Sequence, residues 1–271
     1  NVACGENTDK LPIIFSKHYD ISLFGLEKFH PFDTQKYGKV YKYLVNKIGI
    51  SKNRFYTPEI VSKEELLSVH TQEYLLSLSS SKNIATIAEF GILAKIPNFI
   101  LRYKFLKPMK YATGGTILGC KLALKYGWAI NLSGGYHHAK SDSGGGFCYF
   151  ADVPIAIYKL LKSNPNLSVM IIDLDAHQGN GNEAIFKDDP RIHIFDVYND
   201  FIYPQDSKVK KYIEFRYPVM PYITDEQYLS LIEKEIGPAI ARAKPDIIIY
   251  NAGTDIFKGD SLGGMSISED G

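Results

Sequence analysis

The chain has 271 residues, 45% of them hydrophobic and 23% charged, with a formal net charge of +1 at pH 7. That balance excludes a disordered chain and removes the electrostatic case for a nucleic-acid or membrane-surface partner. No apolar run approaches the ~18 residues needed to span a bilayer, and no signal peptide is visible, so the chain reads as an intracellular protein.

The length suits one large α/β domain. Asn1 is not an initiator methionine, which points to a processed or cut N-terminus. Cys4, Cys120 and Cys148 are odd in number and far apart, the pattern of free thiols in a reducing compartment. A strand is predicted over 11–15. Ser62-Lys-Glu-Glu65 has the spacing of a capping box and opens a helix. Apolar positions recurring at three and four residues predict a helix over 113–126, with Gly127 as its stop. A buried strand over 128–132 follows, then Asp152 as the cap of a helix to Leu161, and a strand over 169–174. Strands over 191–197 and 246–250 flank a helix over 225–243. Ser266-Ile-Ser-Glu269 has capping-box spacing again, yet the chain stops at Gly271, the signature of a fragment. Strand–helix alternation of this kind predicts one α/β domain over 1–271, incomplete at its C-terminus. Its mostly parallel sheet is expected to be covered on both faces.

In open α/β sheets the ligand sits beyond the carboxyl ends of the strands, and polar clusters follow Leu132, Leu174 and Tyr250. The most informative is Ser168-Val-Met-Ile-Ile-Asp-Leu-Asp-Ala-His-Gln-Gly-Asn-Gly181. Strand alternation projects Asp173, Asp175 and His177 to one side. Asp175 and His177 offer oxygen and nitrogen ligands suited to zinc or a similar divalent ion. In Asn251-Ala-Gly-Thr-Asp255, Asp255 completes a three-ligand set with a position left open, the catalytic rather than the structural pattern. Ser133-Gly-Gly-Tyr-His137-His138 puts adjacent histidines on a loop at the ligand end, where a pair can divide the tasks of base and electrostatic stabiliser. The triple glycine at 144–146 lacks the Lys-Ser/Thr of a P-loop and reads as a close backbone approach to a narrow substrate. Cys148 reads as a buried thiol, with nothing nearby to lower its pKa.

These blocks resemble the signatures of zinc-dependent histone deacetylases: Gly-Gly-Tyr-His137-His138-Ala, Gly-Gly-Gly-Phe147-Cys148, Asp173-Leu-Asp175-Ala-His177-Gln-Gly-Asn-Gly and Asn-Ala-Gly-Thr-Asp255. His30-Pro-Phe-Asp33, Asp196-Val-Tyr-Asn199 and Gly259-Asp-Ser-Leu-Gly-Gly-Met-Ser-Ile-Ser268 resemble the class IV branch. The resemblance implies an arginase-like three-layer α/β/α sandwich. It also implies hydrolysis of acetyl or longer acyl groups from lysine side chains of histones or other proteins, in the nucleus or cytoplasm. Asp175, His177 and Asp255 match the Zn2+ ligands, His138 the general base and acid, and His137 its electrostatic partner. Asp173, Asn180 and Asp196 match groups behind the histidines or around a structural K+. Gly146, Phe147 and Tyr203 match the wall of the lysine channel. Asn180 stands where class I members carry a second Asp. The family's catalytic tyrosine is expected beyond the last residue, so the piece is expected to be a feeble deacylase. The alternatives are a non-catalytic zinc-binding acyl-lysine reader or scaffold, and an arginase-type ureohydrolase with two metals.

Overall fold

The computed structural model describes residues 10–271, so Asn1 and Cys4 lie outside the described residues. Two parallel sheets form among them. Strand β1 (Ile13–Ile14) pairs with β2 (Ile130–Asn131). Strands β3 (Val169–Asp173), β4 (Ile192–Asn199), β5 (Phe215–Val219) and β6 (Ile247–Asn251) form an all-parallel sheet in the order β5-β4-β3-β6. The N-terminal helices are α1 (Lys36–Asn46), α2 (Lys63–Leu67), α3 (Gln72–Ser77), α4 (Ser81–Ile87) and α5 (Asn98–Leu101). They precede the long α6 (Lys107–Tyr126), then α7 (Asp152–Ser163), α8 (Asn180–Phe186) and α9 (Asp225–Ala243).

Strand β3 is apolar from Val169 to Ile172, and both of its faces are buried. Val169 and Ile171 join an apolar cluster with α6 and α7, while Met170 and Ile172 join a second one with Tyr228, Ala239 and Ala243 of α9. Each such side chain contributes roughly 1.5–3 kcal/mol on leaving water. The result is the three-layer α/β/α sandwich, with a mostly parallel sheet between helices.

Local signals behave as their chemistry dictates. The Glu65 N–H donates to Ser62 Oγ at 3.1 Å and the Ser62 N–H to Glu65 Oε2 at 2.8 Å, closing the capping box of α2. Gly127 ends α6 in the left-handed region, and its N–H bonds the Ala123 carbonyl at 2.8 Å. The structure departs from expectation in several of its elements. The strand expected over 128–132 is two residues long, and Trp128 and Ile130 are 47% and 48% exposed rather than buried. Ile248 and Tyr250 of β6 are also exposed, so that strand is covered on one face only. Strand β5 was not foreseen: Pro218 and Arg216 disguise it, and Pro is tolerated because the strand lies at the sheet edge. Residues 266–269 form no helix; Ser266 and Ile267 instead bridge to Thr224 and Phe257.

Candidate active site

The parallel register brings three polar strand residues side by side. Asp173 of β3 pairs with Asp196 of β4 on one flank and Asn251 of β6 on the other. Asn251 Nδ2 donates to Asp173 Oδ1 at 2.9 Å. Strand β3 stops at Asp173, so alternation does not position Asp175 and His177. Two side-chain-to-backbone turns do. The Asp175 N–H donates to Asp173 Oδ1 at 3.2 Å, and the His177 N–H to Asp175 Oδ1 at 2.9 Å. Asp255, four residues past β6, accepts the Ala176 N–H at 3.0 Å and thereby ties the two loops together.

Three side chains converge as a consequence. His177 Nδ1 lies 2.7 Å from Asp255 Oδ2 and 3.1 Å from Asp175 Oδ1, and one ligand atom from each residue fits within 4.8 Å of the others. A Cβ at Gly253 would overlap the Asp175 carboxylate, so only glycine lets the β6 loop pass. Two carboxylates and one imidazole form a donor set suited to a divalent metal with an open position. Without a metal's charge, burial would push His177 down, but its bonds to Asp175 and Asp255 outweigh this and raise it to about 10.

The paired histidines sit on the loop after β2, and Asp152 holds that loop. Asp152 was expected to cap α7. Instead it is the first residue of that helix, fully buried, and points back at the loop. Its Oδ2 accepts the Gly135 N–H at 2.9 Å and Thr116 Oγ1 at 2.6 Å, while Oδ1 accepts the Tyr136 N–H at 2.8 Å. The next two residues are the histidines. His137 Nδ1 meets Asp173 Oδ2 at 2.8 Å, and His138 Nδ1 meets Asn180 Oδ1 at 2.9 Å.

Their environments push them apart. Burial lowers His137, but the Asp173 and Asp175 carboxylates overcome it and raise the ring to about 9. His138 is driven well below its ordinary value by burial and by the neighbouring His137 cation. Asp196 is buried, accepts the Gly179 N–H at 2.9 Å, and keeps its Oδ1 without a hydrogen-bond partner. Burial and the nearby Asp173 and Glu183 carboxylates raise Asp196 well above the usual range.

A cleft of about 340 Å³ leads to these groups, lined by His137, His138, Gly146, Phe147, Asp175, His177, Tyr203 and Asp255 among others. Gly146 has φ +49°, and a side chain there would overlap the His138 ring. Phe147 is also left-handed, at φ +65°, held by an N–H bond to the Ile87 carbonyl at 3.0 Å. Its ring meets His30 edge-on at 4.6 Å, and the His30-Pro-Phe-Asp33 block lines the same cleft. Tyr203 meets His138 edge-on at 4.9 Å. Cys148 is buried, and burial pushes its thiol up, so it is an inert wall group. Asp152 and Asn251 are the supporting residues that sequence reasoning misassigned or missed. The place of Asn251 at the end of the apolar run 247–250, in the same cluster as Asp255, was the signal available for the second.

With this geometry in hand, comparison with known proteins is specific. The profile of the histone deacetylase domain matches residues 30–271. Histone deacetylase 2 of Arabidopsis thaliana is 45% identical over 262 residues, covering 97% of this chain and 68% of the plant protein. Histone deacetylase 1 of Homo sapiens is 26% identical over 266 residues, covering 92% of this chain and 54% of the human protein. The crystal structure of an HDAC homolog complexed with SAHA superposes with a TM-score of 0.73 at 20% identity, covering 95% of this chain and 72% of that one; at that identity the likeness carries the fold. The chain belongs to the histone deacetylase family.

Proposed function

We propose that the protein is a zinc-dependent protein-lysine deacylase of the class IV branch, acting on acetyl- or longer acyl-lysine of histones or other nuclear or cytoplasmic proteins. The observation that carries this reading is one cleft in which the Asp175–His177–Asp255 set adjoins two histidines with opposite protonation tendencies. The branch assignment rests on Asn180 in place of a carboxylate and on Asp196-Val-Tyr-Asn199. Two carboxylates and an imidazole fit zinc, which when bound supplies Lewis-acid polarisation of the acyl carbonyl and acidifies water.

The chain's own groups do the rest. Phe147 and Tyr203 hold the aliphatic lysine stem, and the glycine at 146 lets the stem approach. His138, held neutral, has Nδ1 engaged by Asn180, which leaves Nε2 to take a proton from the attacking water. A C–O bond forms, the C–N bond breaks, and His138 returns the proton to the leaving amine. His137, bonded at Nδ1 to Asp173, stabilises the negative charge that develops on the acyl oxygen. Asp173 and Asp196, with an unsatisfied buried oxygen on the latter, fit a K+ behind the histidines.

The test is hydrolysis of acetyl-lysine and long-chain acyl-lysine peptides, before and after chelation and after zinc is restored. The proposal expects turnover that chelation abolishes and zinc recovers. A zinc-loaded protein that binds these peptides and hydrolyses none would contradict it and favour a reader.

A further inference from the structure

An amide is a poor orienter for a catalytic histidine. A carboxylate at 180 could only accept, whichever way it turned; an amide can rotate and present its NH2 in nearly the same shape. Asn180 is 4% exposed, so nothing in solvent decides its orientation. The structure supplies the deciding group. Asn180 Nδ2 reaches Asp206 Oδ2 at 3.3 Å, on the side of the amide away from His138. A carboxylate only accepts, so the NH2 must face Asp206 and Oδ1 must face His138. Oδ1 also only accepts, so His138 carries its hydrogen on Nδ1 and keeps the Nε2 lone pair for the cleft.

Asp206 is itself fixed from two directions. Lys140 Nζ donates to the same Oδ2 at 2.6 Å. The Gln178 side chain grips its backbone, accepting the Asp206 N–H at 3.1 Å and donating to the Asp206 carbonyl at 3.2 Å. Burial works against ionisation of Asp206, and the bonds from Lys140 and Asn180 outweigh it, holding the carboxyl below its usual range. Tyr203, from the same loop, packs edge-on against the His138 ring. We propose that Asp206 is a positioning residue for His138, acting through the Asn180 amide, with Lys140 and Gln178 holding it in place. As a catalytic statement this rests on the deacylase reading; as a statement about the His138 tautomer it does not.

Substitution Asp206→Ala removes the acceptor and leaves Lys140 as a donor competing for the Asn180 oxygen. The amide then turns its NH2 towards His138, which can receive it only at a bare Nδ1, and the ring moves to the Nε2–H form. Two readouts follow on the whole protein: the tautomer of His138 in 15N-histidine NMR spectra, and steady-state kinetics on an acyl-lysine peptide. Asp206→Ala is expected to convert His138 to the Nε2–H tautomer and lower kcat by roughly tenfold or more, a part of the ~10²–10⁴ that general acid–base catalysis supplies. KM is expected to stay within about twofold, since substrate binding is not altered. In an Asn180→Asp background the orienter is a carboxylate again, so adding Asp206→Ala there should leave the Nδ1–H form in place and cost less than about twofold. Lys140→Met should keep the native tautomer, because the acceptor remains. Retention of the Nδ1–H tautomer in Asp206→Ala, or equal loss of kcat in both backgrounds, would overturn the proposal. If the native protein hydrolyses no acyl-lysine peptide, the functional reading fails while the spectra still decide the role of Asp206.

Discussion

The sharpest structural prediction concerns Asp152→Asn, because two roles for this residue differ in magnitude. As an acidic residue in the first turn of α7, it would contribute about 0.3–1 kcal/mol through the helix dipole. As a clamp on the histidine loop it does more. Its Oδ1 serves the Tyr136 N–H and its Oδ2 the Gly135 N–H and the Thr116 hydroxyl, all inside a fully buried site. Asparagine keeps one acceptor oxygen and puts an NH2 group against the other donors, so at least one buried N–H loses its partner. That costs about 1–3 kcal/mol, and charge assistance to the surviving bonds is lost as well. Burial already penalises the ionised carboxyl and raises it above its usual range, which offsets part of the loss. The net expectation is about 2–3 kcal/mol, or a Tm lowered by roughly 5–10 °C at ~2–4 °C per kcal/mol. Calorimetry of native and variant protein at one pH, both saturated with zinc, measures it. A fall of only about 2 °C, the size the dipole alone gives, would refute the clamp.

Burial holds His70 neutral, lowering it from 6.5 to about 4, and its Nε2 accepts the Ala151 N–H at 2.9 Å next to Asp152. The folded state therefore takes up this proton less readily than the unfolded chain. The stabilisation is fully present above pH 6.5, falls as the pH drops towards 4, and amounts to roughly 3 kcal/mol. Urea unfolding of native protein and His70→Gln across that window should show the variant with the shallower slope; parallel curves would contradict this. At the site, His138→Ala should lower turnover by ~10²–10⁴ with zinc content unchanged. His137→Ala should cost less, because a stabilising cation shuttles no proton. Equal turnover of native protein and His138→Ala would remove His138 from the mechanism.

How legible the site was depended on whether chemistry ran along the chain or across it. Asp175, His177 and Asp255 stood in polar clusters after apolar runs, and a parallel sheet gathers such clusters at one end, so the structure brings them together. Strand alternation does not aim two of them: β3 ends at Asp173, and turns position Asp175 and His177 instead. Asp152 was misread because an Asp at a helix start looks the same whether it bonds its own helix or a loop sixteen residues earlier. Asp206 and Lys140 left no pattern to read, since an ion pair between two loops has no period. Likewise Trp128 and Ile130 look like core residues by composition, yet both are exposed.

The central claim is that Asp175, His177 and Asp255 together hold one catalytic zinc. Elemental analysis of the purified native protein and of Asp255→Ala, side by side and with folding checked by circular dichroism, tests it most directly. One zinc per native chain is expected, with a large loss of zinc in a variant that stays folded, because the core lies elsewhere. Undiminished zinc in Asp255→Ala, or two metals per native chain as an arginase-type site requires, would contradict it.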